Sequence, residues 1–294
     1  MTPSNSMTKQ YKVLGHPLKF CLTTPVMNGA FKELNIDANF ETLDILPEDL
    51  PAMMARLKSG ELAGLITTMP FKTPSLDFLD GSVPEVKTIN AVNLTLAVPA
   101  RAGDATLPSA NKLFGYNTDY LGAIGAMKVG FPPAQTTSQC FKGLKVLVLG
   151  CGGAARAAAY GFRLEGAEVF LWNRTPEKAA AYAGKIGINF VPDFKDWSVR
   201  PDAIVNATAL SNEDRQSTIV PYALWEKAQV AMDAVYGKTS LFLEEARAAH
   251  IPHIFSGELW FLKQIFPIFE LITGQKAPEE LMTRLTAESK NIAC

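Results

Sequence analysis

The segment KVLVLGCGGAARA, residues 145–157, decides the fold of the central part of this chain. Residues 145–149 form a short apolar run, which predicts a buried strand of a parallel sheet. Glycines follow at positions 150, 152 and 153, and an alanine-rich stretch then predicts a helix. Glycines at such a turn let the backbone approach a pyrophosphate, and the helix N-terminus offers unpaired N–H groups to its charge.

A second apolar run, residues 168–172, completes a strand–helix–strand unit around these glycines. A glycine pattern alone is weak evidence, and this context makes a dinucleotide site the specific interpretation. Ala155 stands at the third glycine position, a substitution that the pattern tolerates. The alternative is a glycine-rich turn without a ligand. The cofactor contacts predicted in the turn are Gly150, Gly152, Gly153 and Ala154.

The residues after the second strand indicate which dinucleotide binds. NAD sites usually place Asp or Glu there, where the carboxylate binds the ribose hydroxyls. This strand instead runs into Asn173, Arg174 and Thr175, and Lys178 follows about one helical turn later. A guanidinium in place of a carboxylate favours a 2′-phosphate, so we predict NADP rather than NAD. The alternative is that Arg174 is a solvated loop cation.

Composition narrows the class of protein. A length of 294 residues suits two domains, and 48% hydrophobic with 19% charged residues is typical of a soluble globular protein. A formal net charge of -1 gives no electrostatic reason to expect nucleic acid or an anionic membrane as partner. The cysteines are scattered without a Cys-x-x-Cys pair, which favours reduced thiols in the cytoplasm. We expect a cytoplasmic protein with a small-molecule substrate, no membrane span and no metal.

Alternating strands and helices on both sides of the central unit predict an α/β fold. Thr24 is expected to cap the first helix, with Pro25 in its first position. A polar, turn-rich linker over residues 131–140 is predicted to precede the central unit. The other predicted strands are residues 12–15, 40–46 and 62–67, and the other predicted helices begin near 47 or cover 121–129, 259–273 and 278–292.

Several further segments give the chain its resemblance to a known family. They include GLITTMPFK at 64–72, NAVN at 90–93 and GYNTD at 115–119. Together with further segments, they resemble the shikimate dehydrogenase family. The further segments are residues 150–157, 173–175, 206–208, 233–236 followed by Thr239, and 257–264. The resemblance covers nearly the whole chain in the correct order, and several ordered motifs are far more specific than one.

The resemblance implies two α/β domains. Residues 1–121 and 259–294 would form a substrate-binding catalytic domain, to which the C-terminal helices return. Residues 122–258 would form a Rossmann-type NADP-binding domain. The implied activity is hydride transfer between NADP and a ring hydroxyl or ketone of a shikimate-like or quinate-like cyclic hydroxy acid, as in aromatic amino acid biosynthesis. A monomer or a homodimer is expected.

The resemblance also implies roles for individual residues. Lys72 and Asp119 would form the catalytic dyad, with Lys72 exchanging a proton with the reacting oxygen. The implied substrate contacts are Thr24, Thr68, Asn93, Tyr236 and Gln264. The remaining implied cofactor contacts are Ala207, Thr208, Val235 and Gly257.

Some positions depart from the family pattern. In the loop from 15 to 25, the family has two serines that bind the substrate carboxylate; Thr24 keeps one hydroxyl, and the other serine maps onto Leu22 or Thr23. His16 or Lys19 could restore the attraction to the substrate carboxylate that a missing serine hydroxyl would remove.

Elsewhere Ile66 replaces an asparagine, and Leu259 with Trp260 replaces Gly-Met, adding bulk beside the nicotinamide. Two alternatives therefore stay open: a different small carbonyl substrate on the same scaffold, and a non-enzymatic NADP-binding or metabolite-sensing protein.

Overall fold

A computed structural model describes residues 8–18, 21–99, 111–132, 139–195, 197–208, 220–237 and 240–290. Lys19, Thr239 and most of the predicted linker over 131–140 lie outside these ranges. The chain divides into two compact units: Met1–Asn117 with Ile268–Cys294 form the first, and Thr118–Pro267 forms the second. The predicted α/β class is confirmed, and the C-terminal segment belongs to the first unit.

The strands are β1 Lys9–Gly15, β2 Ala38–Asp44, β3 Gly64–Thr67, β4 Gly81–Ser82, β5 Leu94–Val98, β6 Lys112–Tyr116, β7 Lys145–Leu149, β8 Glu168–Trp172, β9 Asn189–Phe190, β10 Ala203–Asn206, β11 Val230–Asp233 and β12 His253–Phe255. The α-helices are α1 Thr23–Glu33, α2 Leu50–Ser59, α3 Pro84–Ile89, α4 Asp119–Gly130, α5 Gly153–Leu164, α6 Pro176–Ile186, α7 Leu241–Ala248, α8 Gly257–Thr273 and α9 Glu279–Lys290. Short 3-10 turns cover Pro47–Asp49, Pro74–Phe78 and Tyr222–Leu224.

The first unit contains a mixed sheet in the order β2-β1-β3-β5-β6-β4. Strands β1, β2 and β3 are parallel, whereas β5 is antiparallel to both β3 and β6. The start of β5 therefore lies at the same edge as the end of β3, where the N–H of Thr67 donates to the carbonyl of Asn93 at 2.9 Å. This edge gathers the turns in which the sequence predicts substrate contacts.

The C-terminal helices complete the first unit by packing on α1. The Phe269 ring lies 6.2 Å from the Phe31 ring, and the Arg284 guanidinium pairs with the Glu33 carboxylate at 2.8 Å. Phe31 and Phe269 are both almost fully buried. The last helix is therefore part of the core of a unit that begins near the other end of the chain.

The start of α1 differs from the prediction. The helix begins at Thr23, and Leu22 in the capping position already has helical backbone angles and no capping side chain. Leu22 is only 1% exposed, and its burial accompanies a helix that begins two residues before the predicted first position, Pro25. Thr24 is therefore not the cap, and its hydroxyl hydrogen-bonds to the Thr42 hydroxyl of β2 at 2.6 Å.

The second unit contains a fully parallel sheet in the order β12-β11-β10-β7-β8-β9. This is the doubly wound order, and the direction of winding reverses between β7 and β10. Along β7, Val146 and Val148 belong to one core cluster, whereas Leu147 and Leu149 belong to another. Because successive side chains alternate between the faces of a strand, both faces of β7 are buried, which explains its continuous apolar run.

In the part of the chain that the structure describes, no helix is both long enough and apolar enough to cross a membrane.

Candidate active site

The glycine turn after β7 lies beside the turn after β10. Gly150 has a φ of +107°, and a Cβ at this position would lie 2.8 Å from the Ala207 carbonyl oxygen and 3.3 Å from the Thr208 side chain. Only glycine suits such a positive φ combined with so close an approach. The structure thus brings the predicted Gly150, Ala207 and Thr208 together at the point where the strand order reverses, the usual place for a ligand in this fold.

Helix α5 presents an open N-terminus beside this turn. Gly152 precedes the helix with an extended backbone, and Gly153 and Ala154 are its first residues. A Cβ on Gly152 would meet no atom of the described residues within 4 Å. The first N–H groups of a helix have no partners within the helix, so they suit an anion that approaches through this space.

The segment after β8 carries two exposed cations. Arg174 and Lys178 are both exposed, and the Asn173 side-chain amide donates to the Thr175 carbonyl at 2.9 Å. The Cys151 thiol contacts the Lys178 carbonyl at 3.4 Å, which places the first turn of α6 against the glycine turn. The residues predicted to select NADP therefore lie next to the predicted pyrophosphate site.

A buried carboxylate holds the turns after β10 and β11. Asp233 is fully buried and accepts hydrogen bonds from the Asn206 amide at 3.2 Å, the Val235 N–H at 3.0 Å and the Ser240 hydroxyl at 2.5 Å. The Asn206 oxygen accepts from the N–H and hydroxyl of Thr208, at 3.1 and 2.7 Å. The network thus connects two predicted cofactor contacts, Thr208 and Val235.

Asp233 and Ser240 shape this site, and neither was predicted to do so from the sequence. A single acidic residue ending the otherwise apolar strand Val230–Asp233 is the signal that could have identified the first of them. The start of α8 lies nearby, because the Gly257 N–H donates to the Val235 carbonyl at 2.9 Å. The half-buried Tyr236 follows, with its ring 6.0 Å from the Phe261 ring.

Helices α4 and α8 bring Asp119 and Gln264 to one crossing. Asp119 is the first residue of α4 and is 2% exposed. A Cβ on Gly122, one turn later, would lie 2.7 Å from the Trp260 carbonyl oxygen and 2.8 Å from the Gln264 Cβ. The helices therefore touch at Gly122, with the predicted catalytic carboxylate and the predicted substrate amide close to the contact.

The Trp260 indole contacts the backbone at the start of α4. The side chain is 4% exposed and packs in the core of the second unit, where the ring N–H donates to the Asp119 carbonyl at 2.9 Å. The added bulk beside the nicotinamide, which the resemblance implied for Leu259 and Trp260, stays a prediction.

The first unit holds Thr68, Lys72 and Asn93 at one edge of its sheet. The Thr68 N–H donates to the Leu14 carbonyl and the Val92 N–H donates to the Lys72 carbonyl, both at 2.8 Å. Lys72 is half-buried in the turn after β3, and Asn93 is 2% exposed at the start of β5. Backbone hydrogen bonds thus fix three predicted site residues that lie up to 25 positions apart in sequence.

The loop after β1 is tied to the end of β2. The His16 Nδ1 lies 2.7 Å from the Asp44 carboxylate, which also accepts the Leu18 N–H at 3.1 Å. The hydrogen bond to His16, followed by that to Leu18, holds the pKa of Asp44 below its usual range. Of the residues that align with the first serine, Leu22 and Thr23 are both buried. Lys19 lies outside the described residues, and Ile66 is buried within β3.

The predicted site residues are divided between the two units. Lys72, Thr24, Thr68 and Asn93 belong to the first unit, whereas Asp119 belongs to the second. The second unit also holds Tyr236, Gln264 and all the predicted cofactor contacts. The pairing of Lys72 with Asp119 stays a prediction.

Comparisons with known proteins give the family of the chain. Residues 13–95 match the shikimate dehydrogenase substrate binding domain. A shikimate dehydrogenase (NADP(+)) of Thermus thermophilus is 36% identical over 240 residues, which cover 81% of this chain and 83% of that protein. The chain belongs to the shikimate dehydrogenase family. A second member, the shikimate dehydrogenase (NADP(+)) of Aquifex aeolicus, is 30% identical over 283 residues, covering 95% of this chain and 97% of that protein.

The fold of the chain is also similar to that of a solved shikimate dehydrogenase. The crystal structure of shikimate 5-dehydrogenase from Thermus thermophilus in complex with NADP(H) and shikimate superposes with a TM-score of 0.80 at 32% identity, covering 96% of this chain and 99% of that one. The family that the sequence motifs indicated is therefore confirmed along nearly the whole chain.

Proposed function

We propose that this member of the shikimate dehydrogenase family is an NADP-dependent dehydrogenase that interconverts a ring hydroxyl and a ring ketone of shikimate. The observation that carries the proposal is the gathering of every predicted cofactor residue around the carboxyl ends of the second sheet, in a chain 36% identical to a shikimate dehydrogenase (NADP(+)). The first unit would bind the substrate and the second would bind NADP, in the cytoplasm.

The residues of the second unit fit NADP. The open space at Gly152 and the unpaired N–H groups of α5 suit a pyrophosphate. The exposed Arg174 and Lys178 offer positive charge to a 2′-phosphate, and Asn173 directly follows β8, where NAD sites usually have a carboxylate. When bound, NADP supplies the nicotinamide carbon that accepts or donates hydride.

Lys72 and Asp119 would handle the proton. In the oxidation direction, the substrate C–H bond breaks with its electron pair leaving as hydride, and the O–H proton passes to the Lys72 amine as the C=O bond forms. Reduction reverses these steps, with Lys72 as proton donor. Asp119 would accept a hydrogen bond from the Lys72 ammonium and orient it, as general acid–base catalysis requires.

Several polar side chains would bind the polar groups of the substrate. Asn93 and Gln264 offer amides to the ring hydroxyls, while Thr68 and Tyr236 would line the ring. Asn93 is well suited to this role because its backbone is fixed by the Thr67 N–H at its carbonyl and by its own N–H to the Tyr116 carbonyl at 3.0 Å. Thr24 would contribute a hydroxyl to the substrate carboxylate.

A second candidate substrate follows from the loop after β1. The buried Leu22 brings no hydroxyl to the surface, and the Thr24 hydroxyl already contacts Thr42. If the first serine aligns with Leu22, Thr24 would offer the one hydroxyl of this pair of positions to the substrate carboxylate. A change beside the carboxylate-bearing ring carbon, where quinate has a hydroxyl that shikimate lacks, favours quinate, or another small carbonyl compound, as an additional or preferred substrate.

A steady-state screen tests the proposal. Shikimate, quinate and other ring hydroxy acids are offered with NADP and with NAD, and NADPH or NADH formation is followed by absorbance. Oxidation of shikimate with NADP is the expected result. Oxidation of quinate at higher kcat/KM supports the second candidate, and no oxidation of any ring carboxylate refutes the proposed reaction.

A further inference from the structure

The indole of Trp260 connects two helices at the start of α4. Trp260 is the fourth residue of α8, and its ring N–H donates to the Asp119 carbonyl across 141 positions of sequence. A buried indole N–H needs a hydrogen-bond partner, since leaving it unpaired costs free energy. The partner here is the backbone of the residue that carries the proposed catalytic carboxylate.

Close packing makes this connection rigid. A Cβ on Gly122 would lie 2.6 Å from the Trp260 Cδ1 and 2.7 Å from its carbonyl oxygen, so the two helices are in backbone contact. On another side of α4, the Tyr120 and Tyr160 rings meet edge to face at 5.5 Å between centroids. The residue next to Asp119 is thereby held against α5, while Asp119 itself is held by α8.

We propose that Trp260 is a positioning residue for Asp119. The indole hydrogen bond fixes the first turn of α4 and so fixes the direction in which the Asp119 carboxylate leaves the backbone. This inference rests on the proposed function, in which Asp119 orients Lys72. By resemblance the family has Met at this position, whose side chain donates no hydrogen bond. In this chain the tryptophan therefore adds a constraint on the catalytic carboxylate.

A double-mutant cycle separates positioning from general stabilisation. The variants are Trp260→Phe, which keeps an aromatic ring and removes the donor, Asp119→Asn, and the two combined. We expect Trp260→Phe to lower kcat for shikimate oxidation by about tenfold, since a misplacement of about 1 Å can cost on the order of 100-fold. The Kd for NADP is expected to stay within about twofold. In the Asp119→Asn background, Trp260→Phe is expected to change kcat no further.

Trp225→Phe is the matched control. Trp225 is 3% exposed and packs against Phe242 in the core cluster that lies away from Asp119, so the control removes an equally buried indole. It is expected to lower the melting temperature without changing kcat. If Trp260→Phe does not fold, Trp260→Met is measured in the same cycle, because it gives the residue typical of the family.

The outcomes distinguish the inference from the proposed function. If Trp260→Phe lowers kcat by the same factor with and without Asp119, or leaves kcat unchanged, Trp260 does not act through Asp119 and the inference is overturned. If the wild-type protein does not oxidise shikimate, the proposed function fails and the inference falls with it. If Asp119→Asn keeps full kcat, the proposed reaction stands, but Asp119 has no catalytic role and the inference is overturned.

Discussion

Single side chains carry the proposed chemistry at positions where the backbone is already fixed. Lys72 lies in the turn after β3, where its backbone carbonyl accepts the Val92 N–H. Asp119 is the first residue of α4 and is almost fully buried. The roles of both residues were implied by the family resemblance of the short motifs that contain them, since a lysine or an aspartate at a strand end has no catalytic signature of its own. The Trp260 contact with Asp119 was not predictable, since no local pattern reports a bond between residues 141 positions apart.

Replacing Lys72 with Ala tests the proton-transfer role. We expect kcat for shikimate oxidation to fall by roughly 10²–10⁴-fold, the range typical of a lost acid–base group, while NADP binding is kept. Lys58→Ala is the control, because Lys58 is an exposed cation on α2 paired with Asp80 at 3.4 Å. Steady-state kinetics and fluorescence titration with NADPH provide the measurements. Unchanged turnover in the Lys72 variant would exclude it as the proton carrier.

Replacing Arg174 with Ala tests the choice of cofactor. Because NADP but not NAD has a 2′-phosphate for the guanidinium to bind, the Kd for NADP should rise roughly tenfold while that for NAD changes little; about 1.4 kcal/mol corresponds to tenfold. Arg163→Ala, an exposed arginine at the other end of α5, serves as control. Equal losses for the two cofactors in calorimetric titrations would contradict a phosphate contact.

At the scale of elements, apolar patterns predicted the strands around the glycine turn better than they predicted the start of α1. Strands β7 and β8 have the predicted bounds, because each is a buried apolar run that begins at a charged residue and is followed by Gly150 or Asn173. Helix α1 instead begins two residues early, since burial of Leu22 outweighs the capping preference of Thr24. The hydrogen bonds of Asp233 could not be predicted from the sequence, because its partners come from separate turns.

Replacing Gly150 with Ala tests the turn that joins β7 to α5. The variant would combine a φ of +107° with a Cβ 2.8 Å from the Ala207 carbonyl, so we expect both lower stability and loss of NADP binding. Gly143→Ala is a matched control, because Gly143 has a φ of +85° and no described atom within 4 Å of a Cβ.

The control is expected to lose about 1 kcal/mol of unfolding free energy from backbone strain alone, with NADP affinity kept. Thermal melts and NADPH titration separate the two effects. If Gly150→Ala binds NADPH as the Gly143 variant does, the close approach of the turns after β7 and β10 does not shape the cofactor site.

At the scale of the whole molecule, the chain leaves its first unit at residue 117 and returns to it at 268. Composition and length indicated two domains. The apolar helices near the end of the sequence suggested that the chain returns to the first domain. The partners of those helices could not be predicted from sequence, because the contacts of α9 with α1 join opposite ends of the chain. The core of the first unit is therefore complete only when both ends of the chain are present.

Replacing Met282 with Ala tests this dependence. Met282 is fully buried on α9, so the truncation should lower the unfolding free energy by about 2–5 kcal/mol, as cavity-forming substitutions in cores do. Thr283→Ala, at the exposed neighbouring position, is expected to change it by no more than about 0.5 kcal/mol. Hydrogen exchange followed by peptide mass spectrometry locates the effect. Faster exchange is expected in α1 and β2, because they share this core, while β7 and β10 keep their protection; a loss confined to β7 and β10 would contradict the assignment of α9 to the first unit.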